Sequence, residues 1–272
     1  MKLYGGKKMR KLKKDRVISF ILFIAVFFGC SNFAYADELT QNDKIQIDEN
    51  LKIERALNSI DDKKKAEEIY EIMTTPIYVT EGEKMSINYD EEKVSERIIE
   101  LSKLNSAELE NRMAEMIREV IDKVESDNNS YILSSGVELL EEYLPEEVES
   151  IKQNSSVVGQ AYPTDGNYKA SHAWVLKDVL GVPLYGGELT IYWTVEQQKI
   201  KSKRHTFGYY ANSLFWTYEK WKTTKNIYQN QKTRATIEIT ATYAHRNMGK
   251  LGFLKAGGWV KNNGDYYFYR ID

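Results

Sequence analysis

The hydrophobic pattern of the chain changes its period part-way along, and this change constrains the fold most strongly. In the second half, apolar and polar residues alternate over residues 189–196 and again over residues 234–243. In the first half, apolar residues recur every three or four positions, most clearly over residues 109–124. Alternation predicts antiparallel strands with one buried face, whereas the longer period predicts amphipathic helices. We therefore expect an α+β fold: a mainly helical N-terminal region, then an antiparallel all-β C-terminal domain, either a sandwich or a small barrel.

Capping residues predict where the helices of the first half begin. Asp62 and Asp90 each precede an apolar-periodic stretch, and Asn105 with Glu108 forms a capping-box pattern ahead of the clearest helix. A small hairpin is expected within residues 77–89, with its turn at Glu81-Gly82.

Turn signals divide the second half into short strands. Asn263-Gly264 predicts a type I′ hairpin turn, and Asp165-Gly166 and Gly186-Gly187 predict further turns. Residues 213–221 are a candidate strand. We expect roughly six to eight short strands between Tyr162 and Asp272.

Charge is distributed unevenly along the chain. Residues 37–160 carry 31 Asp/Glu against 14 Lys/Arg, and residues 161–272 carry 8 against 16. We predict an acidic, mainly helical domain over residues 37–152, with a short helix or two between 137 and 152. A linker over residues 153–161 would then lead to a basic, aromatic-rich β domain over residues 162–272. Such asymmetry bears on the partners of a protein rather than on its fold.

The first 36 residues have the layout of a secretory signal peptide. A basic block is followed by an apolar run over residues 17–28 and by the motif Ala34-Tyr35-Ala36. We expect cleavage after Ala36 and a secreted, extracellular protein. The only cysteine, Cys30, lies in this segment, so the exported chain would contain no disulfide.

Two alternatives would keep the protein at the outer face of the cytoplasmic membrane. The stretch Phe27-Phe28-Gly29-Cys30 resembles a bacterial lipoprotein box in its Gly29 and Cys30. This resemblance implies acylation at Cys30 and anchoring by lipid chains. The second alternative is a signal segment that is not cleaved and serves as the anchor.

Motifs for catalysis or metal binding are missing from the sequence. His172, His205 and His245 show no metal-ligand spacing, and no nucleophile elbow, phosphate loop or dinucleotide fingerprint occurs. We therefore predict a non-enzymatic protein without a metal or cofactor. If an active site existed, His172 with Asp165 or Asp178 would be the first candidate.

Aromatic and basic residues of the second half are the predicted binding contacts. They are Lys199, Lys201, Lys203, Trp216, Tyr218, Trp221, Trp259 and Tyr267. Strand alternation places the three lysines on one face, where they can meet a cell-wall polymer, a glycan or an anionic membrane surface. The alternative is an edge strand that lysines protect from aggregation. Nucleic acid is not an expected partner, because the protein is expected to be exported.

One short aromatic stretch resembles a known repeat unit. Residues 258–268, with the pattern Gly-Trp, then Gly, then Tyr-Tyr-Phe, resemble one unit of the aromatic choline-binding repeats of Gram-positive surface proteins. Those modules stack several copies, whereas the pattern occurs once here. A β-hairpin with aromatic cross-strand pairs accounts for the same residues.

These patterns favour a secreted, bacterial-type, non-enzymatic protein whose β domain binds an envelope or another anionic or glycan surface. One alternative is an exported precursor in which the acidic segment masks a cationic, membrane-active or toxin-like β domain. Another alternative is a secreted hydrolase that uses His172.

Overall fold

Helices come first in the part of the chain that the computed structural model describes, residues 51–133 and 165–271. They are α1, residues 51–58; α2, Lys63–Thr74; α3, Glu91–Lys103; and α4, Ser106–Ser126. The predicted signal peptide with Ala36 and Cys30, the helices expected over 137–152 and the linker over 153–161 lie outside the described residues. The division into two domains stays a prediction.

The helix starts follow the capping residues of the sequence. The side chain of Asp62 accepts hydrogen bonds from the first turn of α2, and that of Asp90 accepts one from the backbone N–H of Lys93. Asn105 and Glu108 form both hydrogen bonds of the capping box at the start of α4. These contacts satisfy backbone donors that a helix start leaves unpaired, and they confirm the predicted starts.

Antiparallel strands form two sheets in the described ranges. The strands are β1, Tyr78–Gly82; β2, Ser130–Ile132; β3, Gly166–Lys177; β4, Pro183–Glu196; β5, Lys199–Ala211; β6, Trp216–Gln229; β7, Arg234–His245; β8, Leu251–Lys261; and β9, Tyr266–Arg270. Sheet 1 has the order β2-β1-β3-β4-β5, and sheet 2 has the order β6-β7-β8-β9. The α+β class is confirmed, although most strands after β2 are longer than the short strands expected.

Strand β1 of sheet 1 comes from the acidic, mainly helical region of the chain. β1 pairs with β3 in five residue pairs, from Tyr78↔Lys177 to Gly82↔Ala173, and its other edge pairs with β2. The hairpin expected within residues 77–89 is therefore wrong, because residues 85–89 form no strand. Both edges of β1 are hydrogen-bonded to strands that are distant in sequence.

The two sheets and the helices share one buried hydrophobic cluster. Between the sheets, the ring of Tyr243 on β7 stacks on that of Tyr185 on β4, with centroids 4.6 Å apart. The Tyr243 hydroxyl also donates a hydrogen bond to the carbonyl of Gly186. Buried hydroxyls need such partners, so this contact fixes the position of one sheet against the other.

The glycine pair that predicted a turn lies inside β4. A Cβ atom on Gly186 would come 2.3 Å from the backbone oxygen of Trp174, and one on Gly187 would come 2.0 Å from the ring of Phe207. Glycine within a strand commonly marks such a close approach. The predicted turn at Gly186-Gly187 is therefore wrong, because these glycines provide space rather than a change of direction.

The turn at Asn263-Gly264 is not of the type that the sequence predicts. At Asn263-Gly264 only Gly264 has a positive φ, and its N–H donates to the carbonyl of Lys261. The expected hairpin forms, but a type I′ turn would need positive φ at both central residues. Gln197 and Gln198, between β4 and β5, have φ of 51° and 59°.

Gly186→Ala should destabilise the fold by about 3 kcal/mol, because the added methyl group meets backbone atoms that cannot turn aside. Gly208→Ala is the matched control, since a Cβ there has no neighbour within 4 Å. Chemical denaturation of both variants measures the effect. Equal stability of the two variants would contradict the close approach at Gly186.

Replacing Gln197-Gln198 by Asn-Gly should raise the unfolding free energy by about 1 kcal/mol. Both positions have a left-handed backbone, which is less favourable for Gln than for Asn or Gly. The backbone N–H groups that donate to the Asp165 carboxylate, at 2.9 and 3.4 Å, are kept. Thermal unfolding measures the gain. An Ala-Ala replacement serves as the control and should bring no gain.

Candidate functional site

The face of sheet 2 that points away from sheet 1 carries most of its cations. Alternate residues of β7, including Ile239 and Tyr243, are buried toward sheet 1, so the residues between them point outward. The cross-strand register extends this outward set to the neighbouring strands. We call it the outer face, and its charged and large apolar members are Lys220, Lys222, Lys225, Ile227, Arg234, Glu238, Leu251, Phe253, Lys255, Trp259, Lys261, Tyr267 and Tyr269.

Three exposed lysines lie close together on the outer face. Lys222 and Lys255 pair with Thr240 from opposite sides, which places them two strands, or about 10 Å, apart. Lys220 lies in the next row, which it shares with Phe253. Among the described residues, no carboxylate lies within ion-pair distance of these three lysines. Their charge is therefore available to a partner.

Glu238, an acid of the outer face, is held by two neighbours. Its Oε1 lies 3.0 Å from Nζ of Lys225 and accepts a hydrogen bond of 2.9 Å from the Tyr269 hydroxyl. Burial, this hydrogen bond and the Glu238 charge raise the pKa of Tyr269, so its hydroxyl remains a donor. Because Lys225 offsets Glu238, the face keeps its positive charge.

Trp259 lies among cations near the hairpin end of the outer face. The Arg234 guanidinium lies 4.6 Å and the Lys261 Nζ 5.1 Å from the Trp259 ring centroid. The ring of Tyr267 is 5.9 Å away on the neighbouring strand. Cation–π contacts of this kind keep basic groups beside an aromatic platform.

The other end of the outer face is apolar and exposed. Leu251 and Phe253, two residues apart on β8, keep 57% and 50% of their surface accessible. Gly252 between them points inward, where a Cβ would come 2.7 Å from the Tyr185 ring and 3.0 Å from that of Trp216. These rings fill the space over Gly252, so the larger residues of β8 face solvent at this end.

The predicted aromatic contacts fall on opposite faces of sheet 2. Trp259 and Tyr267 lie on the outer face. Trp216 is only 4% exposed and packs against Tyr185, with centroids 4.8 Å apart. Tyr218 and Trp221 also point inward, and Tyr218 stacks on the exposed ring of Tyr209 of β5 at 3.7 Å.

The expectation that Lys199, Lys201 and Lys203 share one face is wrong. A bulge at Lys201 shifts the pairing of β5 with β4, so that Lys199 points outward and Lys203 points toward sheet 2. The Lys203 Nζ lies 3.7 Å from the centroid of the Tyr228 ring, and burial lowers its pKa. Lys201 forms an ion pair of 2.5 Å with Glu196.

His172, the catalytic candidate, lies beside Glu81. Its Nε2 is 3.3 Å from Oε2 of Glu81 without hydrogen-bond geometry, and its ring stacks on Phe268 of sheet 2 at 5.6 Å. Neither acid proposed as its partner is in contact with it: Asp165 caps the turn after β4, and Asp178 is fully buried.

Asp178 has a structural position in the turn between β3 and β4. Its Oδ1 accepts backbone hydrogen bonds from Leu180 and Val182, at 2.9 and 2.8 Å. Burial raises its pKa well above the usual range, while these hydrogen bonds favour the carboxylate. The turn depends on this acceptor.

One groove beside the helices, with a volume of about 490 Å³, contains none of the predicted site residues. Lys64, Glu68 and Glu71 of α2 and Glu110 of α4 line it together with apolar side chains. Its mixed charges favour no particular ligand.

Comparison with protein-family models, with curated proteins and with solved structures found no match to this chain. Within residues 51–133 and 165–271, no helix is long and apolar enough to cross a bilayer. No group of three or more His, Cys, Asp or Glu side chains in the same ranges is arranged to hold a metal ion.

Stability should fall in acid because His245 is buried as the neutral base. It is 3% exposed, its Nδ1 accepts hydrogen bonds from the N–H groups of Asn247 and Met248, and burial with the Lys250 charge lowers its pKa to about 4. In the unfolded chain this histidine has a pKa near 6.5. Between pH 4 and pH 6.5 the unfolded chain therefore binds more protons than the folded chain. The contribution of His245 is thus complete above pH 6.5 and is lost toward pH 4, by about 1.4 kcal/mol per pH unit at most.

Denaturation of the parent and of His245→Asn at several pH values measures this effect. Asparagine keeps an acceptor near the position of Nδ1 but does not titrate, so the variant should lose less stability between pH 6.5 and 4. Parallel stability curves for the two proteins would contradict a neutral, buried His245.

Proposed function

We propose that the protein is exported and binds an anionic surface of the bacterial envelope through the outer face of sheet 2, without catalysing a reaction. The observation that carries the proposal is the cluster of Lys220, Lys222 and Lys255, exposed side by side beside aromatic rings. Exposed cations spread over one face of a sheet attract an extended polyanionic surface more than a small ligand, because the charge is distributed over several strands.

The position of the acids supports this assignment. Glu238 is offset by Lys225, and Asp265, at the hairpin end, lies 3.3 Å from Nζ of Lys261. Within residues 51–133 and 165–271, Lys220, Lys222 and Lys255 have no carboxylate within ion-pair distance. Attraction to an anionic surface would weaken with salt, since the charges are exposed and screened.

We also propose that the two sheets form the layers of a sandwich. The inward contacts of Tyr243 with Tyr185 and Gly186 support this arrangement, as does the close approach of Ile191 on β4 to Gly258 on β8. A layer that is covered on its inner side by the other sheet can present its outer side as a rigid platform.

Replacing Lys220, Lys222 and Lys255 together by Gln should weaken binding to purified bacterial envelopes by about 100-fold. Each lysine near an anionic membrane surface contributes about 1 kcal/mol, and the three act on one face. Co-sedimentation at several salt concentrations measures the affinity and its salt dependence. Because the three side chains are exposed, the thermal unfolding of the variant should match that of the parent.

The matched control replaces Lys84, Lys93 and Lys103, which are exposed in the helical region, by Gln. It removes the same net charge from other surfaces and should bind envelopes as the parent does. Equal weakening in the two variants would show that net charge alone matters. Unchanged binding in the first variant would refute the proposed face.

A further inference from the structure

We infer that the anionic surface recognised by the outer face is a lipid bilayer, into whose interface Leu251 and Phe253 insert while the lysines contact headgroup phosphates. This inference rests on the proposed function and names the partner of that face. It is carried by the combination of exposed apolar side chains and cations that have no acid partner among the described residues.

The apolar side chains distinguish a bilayer from a charged polymer. Leu251 and Phe253 expose half or more of their surface, and Ile227 on the same face exposes 38%. An aliphatic side chain gains little from a phosphate chain in water, whereas transfer of a Leu or Phe side chain from water to an apolar phase is favourable. A bilayer offers both apolar and anionic layers within the reach of one protein face.

The arrangement of the face matches these layers. Phe253 and Lys220 lie in the same cross-strand row, and Leu251 lies in the row beyond. Short apolar side chains that stand beside long lysines can enter the acyl boundary while the ammonium groups reach back to phosphates. Trp259 and Tyr267 have the amphipathic rings that are enriched at membrane interfaces.

A second copy of the chain is a less suitable occupant. Two outer faces brought together would place Lys220, Lys222 and Lys255 against their own counterparts. Glu238 and Asp265 are already paired with Lys225 and Lys261. Like charges brought together oppose association. An anionic bilayer complements the same charges.

The test uses the full chain expressed in a secreting bacterial host and purified in the form that this host exports. Its affinity is measured for vesicles of phosphatidylglycerol with phosphatidylcholine, for phosphatidylcholine vesicles and for inorganic polyphosphate. Leu251→Ser with Phe253→Ser should weaken binding to the anionic vesicles more than tenfold, since each lost transfer contributes about a factor of ten. Binding to polyphosphate should not change.

Two further variants complete the test. Leu51→Ser with Ile99→Ser removes exposed apolar side chains from the helices and should bind anionic vesicles as the parent does. Phe253→Trp should retain vesicle binding and should add tryptophan emission that nitroxide-labelled lipids quench. Unchanged unfolding temperatures show that the serine variants are folded.

The outcomes separate this inference from the proposed function. If the triple lysine variant binds neither polyphosphate nor anionic vesicles while the double serine variant binds both, the face binds polyanions and the bilayer inference is overturned. If the triple lysine variant binds both polyphosphate and anionic vesicles as the parent does, the proposed function fails. If the serine variant alters only the oligomeric state in sedimentation, the apolar end is a contact between copies and the bilayer inference is likewise overturned.

Discussion

Aromatic rings that lie over glycines hold this fold together. Tyr185 and Trp216 occupy the space above Gly252, Phe207 lies over Gly187, and Phe268 with Ile191 covers Gly258. A ring placed where a side chain is missing brings two strands or two sheets closer than ordinary residues permit. At Gly252 this packing also decides which residues face outward, because the Tyr185 ring from sheet 1 occupies the space that a side chain of β8 would fill.

Local elements could be predicted from the sequence where local interactions decide them. The capping residues Asp62, Asp90 and Asn105 set the starts of helices, since their hydrogen bonds involve only the following turn. The hairpin at Gly264 forms where expected, although its turn type differs. The membership of β1 in sheet 1 could not be predicted, because its partners are about 50 and 95 residues away and nothing local specifies them. The alternation of apolar and polar residues likewise predicts strands, but it does not predict their order in the sheets.

The candidate site was predicted only in part, and the reasons are local irregularities. A bulge in β5 turns Lys203 away from Lys199. Two bulges in β6 break the strict alternation, so that Lys220, Lys222 and Lys225 share the outer face while Tyr218 points inward. On β8, Gly252 takes the inward position, and its neighbours Leu251 and Phe253 point outward. Trp259 and Tyr267 were named from their aromatic hairpin pattern, whereas Lys255 becomes recognisable only from its register with Thr240.

The strand that the helical region contributes has a consequence for proteolytic processing. β1 lies between β2 and β3 and is hydrogen-bonded to both, while Ile77, Tyr78 and Val79 are buried in the common core. A protease that cut the chain between β2 and β3 would break one peptide bond but leave this ladder and its packing in place. The two fragments would then remain together as a non-covalent heterodimer, and separating them would require unfolding sheet 1.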